Sequence, residues 1–388
     1  MSSRIKYPLV FIHGMFGWGA DEGIDSKIPY WGATTCNLMD YLAEQGYEVY
    51  STSSGPISSA WDRACEIYAR LTGTRVDYGK VHSERARHRR YGRTYTEPLI
   101  KGWSEEKKIH LIGHSHGGTA ARVLAYFLTF GSEEERNGTP ENELSELFKG
   151  GHENLIQSLT AICTPHNGTS AYPVAKKFKI LQPLKFVAFN YIGIVGRTRA
   201  QGGIFDFHLE QYGLSNTPGL KDAFPFGHAK KMLASNYDNV EYDLDPLGAR
   251  LTNSYLEISP NIYYYSYAFT NVVNMKNWPA HHRAKLCDFP FLTATSDLIL
   301  IYNRFFAGGT GDFLDYANDG LVNLRSAMCP DDEPNKEFDS SDIRPGIWNV
   351  MPFRSGDHGS PIGLFADKNE LFGFYSELLE NIRKAESN

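Results

Sequence analysis

The sequence predicts an α/β protein in which helices cover a mostly parallel sheet and a serine sits on a sharp turn at a strand end. Short apolar runs alternate with segments of helical period, and a G-x-S-x-G pattern lies between one such run and one such segment. A length of 388 residues with 41% hydrophobic and 13% aromatic composition supports a substantial buried core.

The elements follow in order. "YPLVFIHG" (7–14) is an apolar strand closed by glycine, "ATTCNLMDYLAEQG" (33–46) a helix ending at Gly46, and "YEVYSTSS" a second strand. "ISSAWDRACEIYARLTG" sets Trp61, Ala64, Cys65, Tyr68 and Leu71 on one helical face, with Gly73 as C-cap. "KIHLIG" is a strand, and "HGGTAARVLAYFLTFG" a helix that buries Val123, Leu124, Phe127 and Leu128. Three stretches break the rhythm. Residues 74–105 have little periodicity, 165–205 read as a mobile insertion, and 270–318 mix aromatics with turns; all three read as decorations on one domain spanning 1–388.

Composition excludes several classes. The net charge is −6, and the basic run "RARHRRYGR" (85–93) has no aromatic stacking motif beside it, so it reads as a solvated face and no nucleic-acid partner is expected. No uninterrupted apolar stretch approaches the roughly 20 residues that cross a bilayer. Cys36, Cys65, Cys163, Cys287 and Cys329 are scattered, which argues against a disulfide framework. "MSSRIKYPLV" has no signal-peptide pattern, so the protein either stays inside or has lost a leader.

Gly113-His114-Ser115-His116-Gly117 follows a strand and opens a helix, the context that lifts a serine hydroxyl clear of a sheet. A hydroxyl becomes a useful nucleophile only when a base takes its proton. Side chains next to the elbow serine diverge from it, so neither His114 nor His116 is expected to be that base. His358 in "RSGDHGSP" is the only histidine beyond residue 282 and is the candidate by position. The acid belongs between Ser115 and His358, and Asp319 in "YANDGLVN" qualifies; on spacing alone an ordinary Asp-Gly turn explains it equally well. Asp357 is the rival, disfavoured because it adjoins His358 in sequence. A tetrahedral intermediate needs two backbone N–H donors. His116, after the nucleophile, and Met15, in the loop "HGMFGWG", are the candidates, although "HG" after a strand is also a plain tight turn. Together these features read as an α/β-hydrolase.

"HGMFGWG", "ATTCNLMDYLAEQGYEVY", "WDRACEIYARLTGTRVDYGKVHSERARHRRYGRTY", "GHSHGG" and "NDGLVN" resemble the thermoalkalophilic, zinc-containing true lipases of bacteria, from about Pro8 to about His358. The resemblance implies an α/β-hydrolase core with a helical lid over 170–205, a zinc-bound extra subdomain, and hydrolysis of triacylglycerol esters at an oil–water interface. It implies Ser115 as nucleophile, His358 as base, Asp319 as orienting acid, and the Met15 and His116 amides as oxyanion donors. It also implies a structural Zn²⁺ held by Asp62, His82, His88 and Asp243, with 74–105 and 236–250 forming the zinc-binding region. Spacing alone leaves the histidines of "VHSERARHRR" simply solvated. Members of the group are commonly secreted.

One part of that pattern is missing. The group typically places a calcium-binding Glu two residues after the catalytic histidine and an Asp-Pro a little further on; here those positions read Ser360, Phe365 and Ala366, so no calcium site of that type is expected, and the His358 loop must be held by other contacts. The lid segment "KKFKILQPLKFVAFNYIGIVG" (176–196) reads either as an amphipathic gate or as a helix packed permanently on the core. Within the same class stands a short-chain esterase or polyester hydrolase. Outside it stands a hydrolase-like binding protein without turnover.

Overall fold

Leu9–Ile12 (β1) is buried along its whole length. Strand alternation sends Leu9 and Phe11 into one apolar cluster and Val10 and Ile12 into another, so the strand is covered on both faces. The computed structural model describes residues 5–177, 206–213, 237–275, 278–281, 290–305 and 312–387. The other sheet strands are Val49–Thr52 (β2), Ile109–His114 (β3), Ile156–Ile162 (β4), Tyr263–Tyr267 (β5), Asn335–Glu337 (β6) and Trp348–Val350 (β7). The seven-stranded sheet runs β6-β7-β5-β4-β3-β1-β2. Every pairing in it is parallel, which requires crossovers and explains the alternation seen in the sequence.

The helices that matter for the site are Leu38–Glu44 (α1), Ala60–Thr72 (α2), Lys80–Ala86 (α3), His116–Phe130 (α4), Val240–Leu244 (α5) and Lys368–Ser387 (α6). Residues of α2 and α4 fill one cluster, and those of α1 and α6 fill the other. α1 begins at Leu38, later than the periodicity suggests. Asn37 caps it by accepting from Asp40 N at 3.2 Å, while Thr34 and Thr35 upstream are committed to the loop after His358. α2 ends as its sequence predicts, with Gly73 left-handed at φ 69°.

Residues 74–105 are more regular than their sequence suggests. Arg75–Asp77 pairs antiparallel with Tyr91–Thr94, and α3 is inserted between the two strands. Charge, not apolar periodicity, organises this region, which is why periodicity misses it. Arg85 meets Glu134 at 2.6 Å, Arg90 meets Asp77 at 2.9 Å, and Arg93 reaches Asp206 and Glu210. The basic run is thus largely paired with carboxylates. Of the expected lid, Ala171–Lys177 is helical, and the remainder to residue 205 lies outside the described residues. Among the described residues Cys36, Cys65, Cys163 and Cys329 are free thiols, and no helix is long and apolar enough to cross a membrane.

Candidate active site

β3 delivers Ser115 to its turn, where the backbone adopts φ 55° and ψ −131°. Such a conformation costs a non-glycine residue on the order of 1–3 kcal/mol and persists only where its surroundings impose it. Here Ser115 N donates to Ile162 O at 2.8 Å and Gly118 N donates to Ser115 O at 3.0 Å. The small residues around the serine are obligatory: a Cβ on Gly113 would lie 2.6 Å from Gly118 Cα, and one on Gly117 would strike the backbone oxygen of Ile12. A Cβ on Gly14 would lie 2.9 Å from Ser115 Cβ, so the "HGMFGWG" loop that carries Met15 packs directly against the elbow.

His358 and Asp319 meet. His358 Nδ1 lies 2.7 Å from Asp319 Oδ2, and both residues are buried. Asp319 Oδ1 accepts from Leu321 N at 3.0 Å and Val322 N at 2.7 Å, which fixes the carboxylate in place. A carboxylate only accepts, so Nδ1 of His358 carries the proton and Nε2 presents a lone pair. The Cys163 thiol also hydrogen-bonds Asp319; burial, then that carboxylate, push its pKa well up and keep it neutral. Asp357 is turned into its own loop, where Oδ1 accepts from Gly359 N and Ser360 N, both at 2.9 Å.

The elbow histidines are engaged elsewhere. Tyr30 OH accepts from Gly14 N at 2.9 Å and donates to His114 Nδ1 at 2.7 Å, so His114 Nε2 donates to His358 O at 2.9 Å. Burial, then the nearby His358, hold His114 well below the usual imidazole range, so it props the backbone of His358 as a neutral ring. His116 Nδ1 faces Arg63 at 3.0 Å and Nε2 faces Asp243 Oδ2 at 3.0 Å.

The loop beyond His358 is held without carboxylates at positions 360, 365 and 366. The Thr35 hydroxyl donates to Gly363 O at 2.8 Å and Ala366 O at 2.9 Å, and Phe365 N donates to Thr34 Oγ1 at 2.7 Å. Asp367 Oδ1 accepts from the amides of Asn369 and Glu370 at the start of α6.

A second polar cluster lies at the N-terminus of α2. The ligand atoms of Asp62, His82, His88 and Asp238 come within 4.8 Å of one another. Asp243 is not among them, which corrects the expected fourth member. Its Oδ2 instead accepts from Ala60 N at 2.7 Å and from His116 Nε2. Asn239 caps α5, so Asp238 lies in the bend just before the helix while Asp243 occupies its last turn and meets His116 of the elbow. Sequence reasoning missed Asp238. Its signal was its place immediately before an Asn N-cap, in a stretch with three aspartates.

The cluster suits a cation. His82 Nε2 lies 3.3 Å from both Asp62 Oδ1 and Asp238 Oδ1, and His88 Nε2 lies 3.7 Å from Asp62 Oδ1 and 3.1 Å from Asp238 Oδ2. These approach the edge of about 3.3 Å in a tetrahedron with metal–ligand bonds of about 2.0 Å. His88 Nδ1 donates to Arg89 O at 2.8 Å, so the Nε2 of a neutral His88 turns a lone pair toward two carboxylates. Asp62 Oδ1 and the Nε2 atoms of His82 and His88 are buried without hydrogen-bond partners. Burial opposes an imidazolium at His82, but Asp238 and Asp62 outweigh it and raise its pKa to about 9. The site therefore demands positive charge. Trp61 stacks on His82 at 4.4 Å, and the rings of Tyr78 and Tyr212 stand edge-on to His88. In the other group among the described residues that could hold a metal, His114, Cys163 and His358, both ring nitrogens of His114, the Cys163 thiol and Nδ1 of His358 are already spent on the contacts above.

A serine on a strand-to-helix elbow of a helix-covered parallel sheet gives this protein the α/β-hydrolase fold. Comparison with known proteins narrows the class. The chain belongs to the family described as "Lipase-like, C-terminal domain", whose model matches residues 5–388. It is 35% identical over 396 residues to a lipase of Staphylococcus hyicus, covering 98% of this chain and 59% of that protein, so it spans somewhat over half the length of this curated relative. The crystal structure of Staphylococcus hyicus lipase superposes with a TM-score of 0.82 at 33% identity, covering 100% of this chain and 98% of that one. Lipase 1 from Pelosinus fermentans gives 0.76 at 34% identity, with 97% and 98% covered.

Proposed function

We propose that this protein hydrolyses carboxylic esters of lipids, triacylglycerols foremost, with Ser115 as nucleophile, His358 as base and Asp319 as the acid that orients it. The observation that carries this reading is the 2.7 Å contact between His358 Nδ1 and Asp319 Oδ2, which leaves His358 Nε2 as a lone pair in a fold whose elbow presents a serine. His358 takes the Ser115 proton as Oγ attacks the ester carbonyl, and Asp319 stabilises the imidazolium that forms. The amides of Met15 and His116 receive the negative charge on the carbonyl oxygen. The alcohol leaves with the proton from His358, and a water deprotonated by His358 then releases the acid from Ser115.

Asp62, His82, His88 and Asp238 form the metal site of this reading, with zinc the ion their two imidazoles and two carboxylates suit. When bound, zinc neutralises the two carboxylates and ties the hairpin loop to α2. The residues themselves take no part in the ester chemistry.

Covalent labelling with an organophosphonate tests the catalytic reading. Ser115 is expected to be labelled in the wild type and labelling to vanish in Ser115→Ala. A folded wild type that resists labelling would overturn it in favour of a binding protein. Nitrophenyl esters of increasing acyl length, with and without an emulsion, separate a lipase from a short-chain or polymer esterase: activity confined to short chains, with no gain at an interface, rejects the lipase.

A further inference from the structure

We infer that Arg63, the His116 side chain and Asp243 form a clamp that sets the spacing of the two amides flanking the developing oxyanion; the inference rests on the ester-hydrolase reading above. Arg63 projects from α2 with no exposed surface. Its Nε donates to Ser54 Oγ at 3.0 Å, its Nη2 to His13 O, and its Nη1 to His116 Nδ1 at 3.0 Å. His13 stands two residues before Met15, and His116 directly follows the nucleophile. One guanidinium therefore grips both segments that carry the oxyanion amides.

The proton positions follow from donor chemistry. Arginine only donates, so His116 Nδ1 must accept and its Nε2 must carry the hydrogen given to Asp243 Oδ2. The same oxygen accepts from Ala60 N at 2.7 Å, in the turn of α2 that also carries Arg63. The result is a closed loop: Arg63 to His116, His116 to Asp243, Asp243 to Ala60, and one helical turn back to Arg63. Burial, which outweighs the hydrogen bond that His116 makes to Asp243, lowers the pKa of His116 and keeps the ring in this neutral form. A guanidinium buried beside two histidines is costly unless its donors are used, and here all three of its nitrogens find acceptors.

Oxyanion donors must be held to within about 0.5 Å of the productive geometry, and misplacement by about 1 Å costs on the order of 100-fold in rate. His116, Arg63 and Asp243 are positioning residues whose side chains act through two backbone amides. Glutamine at 116 can reproduce the pattern, accepting from Arg63 through its oxygen and donating to Asp243 through its nitrogen; leucine fills similar space with neither.

The test measures kcat and KM on a soluble nitrophenyl ester for wild type, His116→Leu and His116→Gln, each normalised to the sites titrated by an organophosphonate. His116→Leu is expected to lower kcat about 10- to 100-fold with KM within about two-fold, and His116→Gln to recover most of that loss. Should His116→Leu fail to fold, the same contrast is read between Asp243→Ala, which loses the acceptor, and Asp243→Asn, which keeps one. A kcat in His116→Leu within about three-fold of wild type, or a His116→Gln as slow as His116→Leu, overturns the clamp. A wild type that the phosphonate does not label overturns instead the hydrolase reading on which it rests.

Discussion

Asp319, the proposed orienting acid, is the residue that the sequence left most open between an ordinary turn and a partner for a histidine. As a plain Asp-Gly turn it would need only its bonds to Leu321 N and Val322 N, yet its second oxygen is spent on a buried histidine 39 positions away. An asparagine in its place would offer that histidine an amide able to select the wrong tautomer, so Asp319→Asn is expected to lower kcat by about 10⁴-fold with organophosphonate labelling correspondingly slow. A fall below about ten-fold in steady-state kinetics would remove Asp319 from the mechanism. His166 supplies a residue-scale prediction about pH. Both its ring nitrogens are buried without hydrogen-bond partners, and burial, then Arg122, hold its pKa well below that of an exposed imidazole. A depressed histidine contributes stability that is present above the unfolded pKa of about 6.5 and is lost as the pH falls through it. Denaturant unfolding is expected to show lower stability at pH 5.5 than at pH 7, with His166→Phe shrinking that difference by about 1 kcal/mol. An unchanged difference would mean that His166 does not titrate with unfolding.

Individual elements were legible where hydrophobic periodicity set them. β1, α2 and α4 follow it, since burial on a sheet or against one selects the apolar residues the pattern reports. The hairpin and α3 were not legible, because arginine–carboxylate pairs and the histidine cluster order them and neither leaves a period in the sequence. Asp238 went unread in the sequence for a related reason. Five residues of separation across a helix start place the carboxylates of Asp238 and Asp243 on different partners, and only the position of the Asn239 cap reveals which one faces the histidines. Metal analysis checks the correction directly: near-stoichiometric zinc is expected in the wild type, to fall in His82→Ala, His88→Ala and Asp238→Ala but to persist in Asp243→Ala. Chelation is expected to lower the melting temperature. Zinc lost in Asp243→Ala and kept in Asp238→Ala would reverse the assignment.

For the whole molecule, the parallel sheet was readable from strand–helix alternation and the elbow from its pattern in context. His358, the proposed base, was readable only as the one histidine beyond residue 282. Its seating was not, because Thr34, Thr35 and Tyr30 lie more than 300 residues upstream of it and no local pattern links them to it. Those contacts predict that Thr35→Val, which removes the bridge to Gly363 O and Ala366 O, lowers activity through a loosened His358 loop. A loss of about three- to ten-fold in kcat is expected, with faster proteolytic nicking near residue 363. Activity and cleavage both matching wild type would place the loop's support elsewhere.

The tie between Thr35 and the carbonyls beyond His358 also bears on synthesis. A ribosome releases the elbow serine and the Met15 loop long before it releases the residues that seat the base. With Ser115 as nucleophile and His358 as base, a nascent chain carries its nucleophile unarmed until the loop after His358 has been made. On that reading an ester meets a competent triad only after the loop beyond His358 has folded back onto Thr34 and Thr35.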